Sequence, residues 1–66
     1  MMGTRSQRAA VVVLAQIGIS GIVSVHQVWE ILSQRYARIT HRECRRILMT
    51  QEEFEKVSPG LYKRVQ

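Results

Sequence analysis

Arg35, Arg38, Arg42, Arg45 and Arg46 place five guanidinium groups within twelve residues, against one acid, Glu43. A guanidinium is planar, always charged, and presents its donors as a fork that fits phosphate oxygens or the O6 and N7 edge of guanine. The chemistry suggested here is recognition of a polyanion rather than bond making. Duplex DNA carries about one negative charge per 1.7 Å of axis, so contact with a cluster this dense would release condensed counterions. The competing reading is an ordinary solvated helix face, and the lack of interleaved acids argues against it.

Other chemistry finds too few groups. His41 and Cys44 stand three apart, which is half of a zinc site, but no second Cys/His pair completes four ligands and His26 belongs to another segment. His41 is better placed to touch phosphate at the start of its helix or to stand simply solvated, and Cys44 to fill a core. A single cysteine excludes an internal disulfide and fits a reducing compartment. There is no Asp, the Glu residues fall on polar faces or in the run Glu52-Glu53-Phe54-Glu55, and no glycine loop could cradle a phosphate. We therefore expect a protein that is not an enzyme, with no cofactor and no metal.

The whole chain shares the bias of its arginine cluster. Ten Lys and Arg against five acids leave a formal charge of +5, and eight of the ten are Arg. That excess suits an anionic partner, either nucleic acid or an acidic membrane surface. At 66 residues the chain holds one domain, and a domain this small buries only roughly 60% of its unfolded surface. Apolar residues, 45% of the total and spread throughout, argue for folding over disorder. The run Ala9 to Ala15 is shorter than the about 20 residues a membrane span needs. It is not read as a leader, because its removal would leave too little chain to fold. An intracellular location, cytoplasmic or nucleoid-associated, is expected, with no membrane partner.

The elements that must position the arginines follow from periodicity and capping. Residues 1–5 read as a flexible tail and 6–66 as the domain. Ser6 is expected to cap a first helix over Gln7 to Ile17, with Ala10, Val13, Leu14 and Ile17 inward. Gly18, Ser20 and Gly21 break it, leaving Ile22 and Val23 for a very short strand. Ser24 and Gln27 have capping-box spacing and open a second helix, whose stripe is Val25, Val28, Trp29, Leu32 and Tyr36. After the connector Ala37-Arg38-Ile39, Thr40 and Glu43 form another box and open a third helix, His41 to about Thr50. At 100° per residue, Cys44, Ile47 and Leu48 face inward while Arg42, Arg45, Arg46 and Met49 gather on the opposite face. Phe54 to Val65 reads as a hairpin turning at Ser58-Pro59-Gly60. Phe54 and Val57 differ in parity, so a bulge or a four-residue turn is expected. The hairpin should lean on the helices through Phe54, Leu61 or Tyr62.

The order is helix, short strand, helix, connector, basic helix, hairpin. With Ser24-Val-His-Gln27, Thr40-His-Arg-Glu43, Phe54 and Val57-Ser-Pro-Gly-Leu-Tyr62, it resembles a winged helix-turn-helix domain over nearly the whole chain, from about Ser6 to Val65. The expected fold is α+β, mostly helical: a three-helix core with a C-terminal β-hairpin wing. The resemblance implies a reading helix, Thr40 to Thr50, in the major groove of double-stranded DNA, with the wing, Lys56 to Lys63, touching backbone or minor groove. The wing tip itself carries no positive charge. The expected contact set is Arg38, Thr40, His41, Arg42, Arg45, Arg46, Met49, Lys56 and Lys63, with Met49 able to meet a thymine methyl. Thr40 and the first-turn amides offer a phosphate site.

The expected function is a small sequence-specific DNA-binding protein, a transcriptional repressor or accessory factor. The rival functions are a protein-interaction module gripping an acidic surface and an RNA-binding winged helix. Val11, Val12 and Ala15 form a second apolar strip on the first helix. Two occupants fit it: a second copy, giving a homodimer with paired half-sites, or the wing of the same chain.

Overall fold

Reciprocal capping boxes start each of the three helices described. In each, a Ser or Thr oxygen accepts the backbone N–H three residues on, while the Gln or Glu there accepts the N–H of the cap. The computed structural model describes residues 4–66; residues 1–3 of the expected tail lie outside the described residues.

Helix α1 spans Arg5–Leu14, and its cap is Thr4 rather than Ser6. The difference has a physical reason. Thr4 has Gln7 three residues later to return its hydrogen bond, at 2.9 Å and 3.2 Å for the two bonds, whereas Ser6 has only Ala9. Thr4 and Arg5 thus belong to the folded unit and not to a tail. The helix also ends at Leu14, three residues before the expected Ile17. Gln16 and Ile17 instead donate to carbonyls three residues back, and the Arg64 guanidinium donates to the carbonyls of Leu14 and Ile17. A basic fork at a helix C-terminus satisfies carbonyls that have no helical partner. Gly21 lets the chain return tightly: a Cβ there would lie 2.9 Å from the Gly18 oxygen and from Ile17 Cγ2.

Strand β1, Ile22–Ser24, leads directly into α2, Val25–Ser33, so Ser24 both closes a strand and caps a helix. Helix α3 spans His41–Thr50. Strands β2, Phe54–Ser58, and β3, Leu61–Arg64, form the hairpin. The sheet is antiparallel in the order β1-β3-β2, with Val23 opposite Tyr62. The expected bulge is present: Lys56 faces Tyr62 but Ser58 faces Leu61, leaving Val57 as the extra residue. Gly60 turns the chain at φ +76°, where a side chain would be strained. This is a three-helix core with a C-terminal β-hairpin wing, the winged-helix arrangement.

One core joins these pieces. Val13, Val28, Leu32, Cys44, Ile47 and Leu48 fill its centre from the helices, and Val23, Phe54 and Tyr62 close it from the sheet. Phe54 and Tyr62 anchor the wing as expected. Leu61 does not, because it lies across from Ser24 on the other face of the sheet and is 39% exposed. Ala9 and Ile39 are also buried. Ile39 plugs the connector between α2 and α3, and its carbonyl accepts the Trp29 indole N–H at 3.0 Å.

Candidate nucleic-acid interface

The two sides of α3 separate as the periodicity predicts. Cys44, Ile47 and Leu48 are buried, while Arg42, Arg45, Arg46 and Met49 are exposed, Met49 to 65%. Together with Glu43 and Thr50, these four line an open depression of about 470 Å³. Burial pushes the Cys44 thiol up, with a further push from Glu43, so it stays protonated and acts as a small core residue. Among the described residues no three His, Cys, Asp or Glu side chains gather where they could share a metal ion.

The acid inside this basic stretch has a partner. Glu43 Oε1 accepts the Thr40 N–H at 3.2 Å, and its Oε2 lies 3.5 Å from the Arg5 guanidinium. Arg5 also sits 5.4 Å above the Tyr36 ring. Arg5 therefore ties the start of α1 to the start of α3, leaving Arg42, Arg45 and Arg46 without an acid of their own among the described ion pairs. Sequence reasoning assigned Arg5 to a tail and missed this; the signal was Thr4-x-x-Gln7, which places Arg5 at the first position of a helix.

The remaining expected residues are dispersed. Thr40 is exposed, but its hydroxyl accepts the Glu43 N–H at 3.1 Å and is committed to the cap. Arg38 is exposed in the connector. Lys63 shares a face with Glu55, directly across the hairpin, whereas Lys56 lies across from Tyr62 on the other face. The two lysines thus do not converge. Arg64, beside the wing, is occupied with the end of α1 and with the Gln66 carbonyl.

His41 is not a freely solvated side chain. Its Nε2 lies 3.0 Å from His26 Nδ1, and both rings lie near-parallel to the Trp29 indole. No spacing rule links residues fifteen apart, so this contact was invisible in the sequence.

On α1, Val11 is 64% exposed and Val12 packs partly against the core, while Ala15, the C-cap, is exposed. The wing of the same chain therefore does not cover this strip. No described helix is long and apolar enough to cross a membrane.

Compared with known proteins, the chain matches no family model, no curated sequence and no solved structure. The class it defines is therefore set by its own architecture: a winged helix with an arginine-bearing third helix.

Proposed function

We propose that this chain is a small sequence-specific double-stranded DNA-binding protein, a transcriptional repressor or accessory factor, that reads the major groove with α3. The reading is supported above all by one observation: Arg42, Arg45, Arg46 and Met49 are exposed on one face of a helix whose opposite face is wholly buried. A helix held by its back can enter a groove about 12 Å wide and offer its front to base edges. Three guanidinium forks suit guanine, and an exposed methionine suits a thymine methyl. The protein acts by occupying its site, without catalysis, metal or cofactor, inside the cell. Val11 and Ala15 form the contact of a homodimer that pairs two reading helices on a palindromic site.

The test is titration of a labelled random-sequence duplex at two salt concentrations, followed by selection of the bound sequences. Steep salt dependence with an enriched motif is expected, and a palindromic motif with self-association in sedimentation supports the dimer. Salt-dependent binding with no motif would assign a shape-reading architectural role instead. No duplex binding at low salt would overturn the proposal and turn attention to RNA or an acidic protein surface.

A further inference from the structure

His26, His41 and Trp29 form a cluster that groove reading by the arginines leaves unused. The His26 and His41 rings are within 8° of parallel, with centroids 5.3 Å apart and facing nitrogens 3.0 Å apart. These distances describe two imidazoles joined edge to edge by an N–H···N bond in nearly one plane, not a face-to-face stack. This layer lies over the Trp29 indole, whose centroid is 4.7 Å from that of His41 and 5.6 Å from that of His26. The indole is fixed in turn by its bond to the Ile39 carbonyl. At the outer end, His26 Nε2 lies 3.9 Å from a Glu30 carboxylate oxygen. At the inner end, His41 lines an open hollow of about 250 Å³ with Val25, Arg42 and Arg45, and no carboxylate lines it.

The number of protons on the four ring nitrogens decides what this arrangement does. With two, one proton fills the N···N contact and the other serves a single outer nitrogen, either toward Glu30 or on His41 Nδ1. With three, the contact is filled and both outer nitrogens donate. With four, two N–H groups meet head-on across the gap and the contact breaks. An anion in the hollow needs a proton on His41 Nδ1, the only nitrogen His41 has left to offer it. Glu30 at the other end needs one on His26 Nε2, and only the three-proton state supplies both. The indole face beneath also favours a cation.

We propose that the hollow beside His41 is a phosphate site and that the His26–His41 dyad takes up one proton when a backbone phosphodiester binds there. This rests on the DNA-binding reading and adds pH control to it. The charged groups that face the dyad are Glu30 on α2 and Arg42 and Arg45 on α3. The Pro59-Gly60 turn, which reaches α2 through the Val25 N–H to Gly60 carbonyl bond, carries no titratable side chain. The arginines stay charged throughout, so a pH slope belongs to the dyad. Anion and proton binding favour each other at the dyad, so duplex affinity should be highest at low pH and fall as pH rises.

The experiment measures duplex affinity of the full chain at fixed salt from about pH 5 to about pH 8. Wild type should weaken by up to about tenfold per pH unit along its steepest part, the limit for one proton. His26→Gln and His41→Gln should each bind at pH 8 yet lose most of this slope, and Glu30→Gln should reduce it. All three positions are exposed, so the variants should fold. Imidazole nitrogen spectra of the wild-type protein should also report a coupling across the His26–His41 bond. Equal pH slopes in wild type and variants would overturn the dyad and leave the DNA-binding reading standing. No duplex binding at any pH would remove both.

Discussion

Six of the ten basic residues lie on two elements, three on α3 and three on the hairpin, and the chain treats them differently. On α3, Arg42, Arg45 and Arg46 stand three and four residues apart, and helical geometry brings them to one exposed face. On the hairpin, Lys56 and Lys63 are near neighbours across a turn, yet strand alternation and register send them to opposite faces, Lys63 opposite Glu55. The third basic residue there, Arg64, is spent on closing α1. Closeness in the chain therefore does not make a patch; the period of the element does. On this comparison α3 should supply specificity, and the wing at most a weak, uniform attraction.

The largest way to break the comparison is to remove what holds α3 by its back. Leu48 is 1% exposed, and Leu48→Ala should cost about 2–5 kcal/mol of stability. A domain this small has little stability in reserve, so thermal unfolding should move down far enough to abolish binding at 37 °C. A melting point within a few degrees of wild type would mean the arginine face does not depend on this core. Next in size are Arg42→Ala and Arg46→Ala. Each should leave folding unchanged, weaken the selected duplex by about 1–3 kcal/mol and relax preference at one base position. Uniform loss across all sequences would demote them to backbone contacts.

These expectations show which parts of the structure were legible in the chain and which were not. The boxes at Ser24 and Thr40 and the stripe Cys44, Ile47, Leu48 depend on residues at most four apart, and each proved correct. The start of α1 is also local, but Ser6 lies nearer to the apolar run, and only the Gln7 side chain distinguishes Thr4 as the cap. What could not be read depends on pairs distant in sequence. Arg64 reaches carbonyls 50 and 47 residues away, β1 joins β3, and His26 meets His41. The fold class survives such gaps because it follows from local elements in order. The site does not, because the roles of Arg5, Thr40 and His41 are set by tertiary neighbours.

Cys44 offers a smaller, reversible way to loosen the same helix. Its thiol is buried and its proton is held above the ordinary value of 9.0. A raised folded-state value means the unfolded chain releases the proton first. The stabilisation is thus fully present below about pH 9 and is lost as pH rises through the folded value, by at most about 1.4 kcal/mol per unit. Chemical denaturation should accordingly give a steeper alkaline decline for wild type than for Cys44→Ala, which removes the thiol. Equal declines would show that the thiol titrates as freely folded as unfolded.

The smallest effects test the other half of the comparison. Of Lys56→Ala and Lys63→Ala, the one whose side chain meets the duplex should weaken all sequences alike, by less than about 1 kcal/mol, and both should leave the selected motif unchanged. The effect should appear in the salt dependence, where losing one phosphate contact lowers the slope by about one. Because the two side chains leave opposite faces of the hairpin, a wing lying flat on a duplex can engage only one of them. One variant should therefore lower the slope and the other should not. If Lys56 is the silent one, the face shared by Glu55 and Lys63 meets the nucleic acid, and Glu55→Gln should then strengthen binding. If Lys63 is silent, the wing approaches by the exposed end of its helix-facing side, where Lys56 projects beyond the buried Phe54 and Tyr62. Equal slopes lost from both would mean that the hairpin inserts edge-on, with its uncharged Pro59-Gly60 tip leading. The wing would then have a part in recognition that its charge alone does not predict.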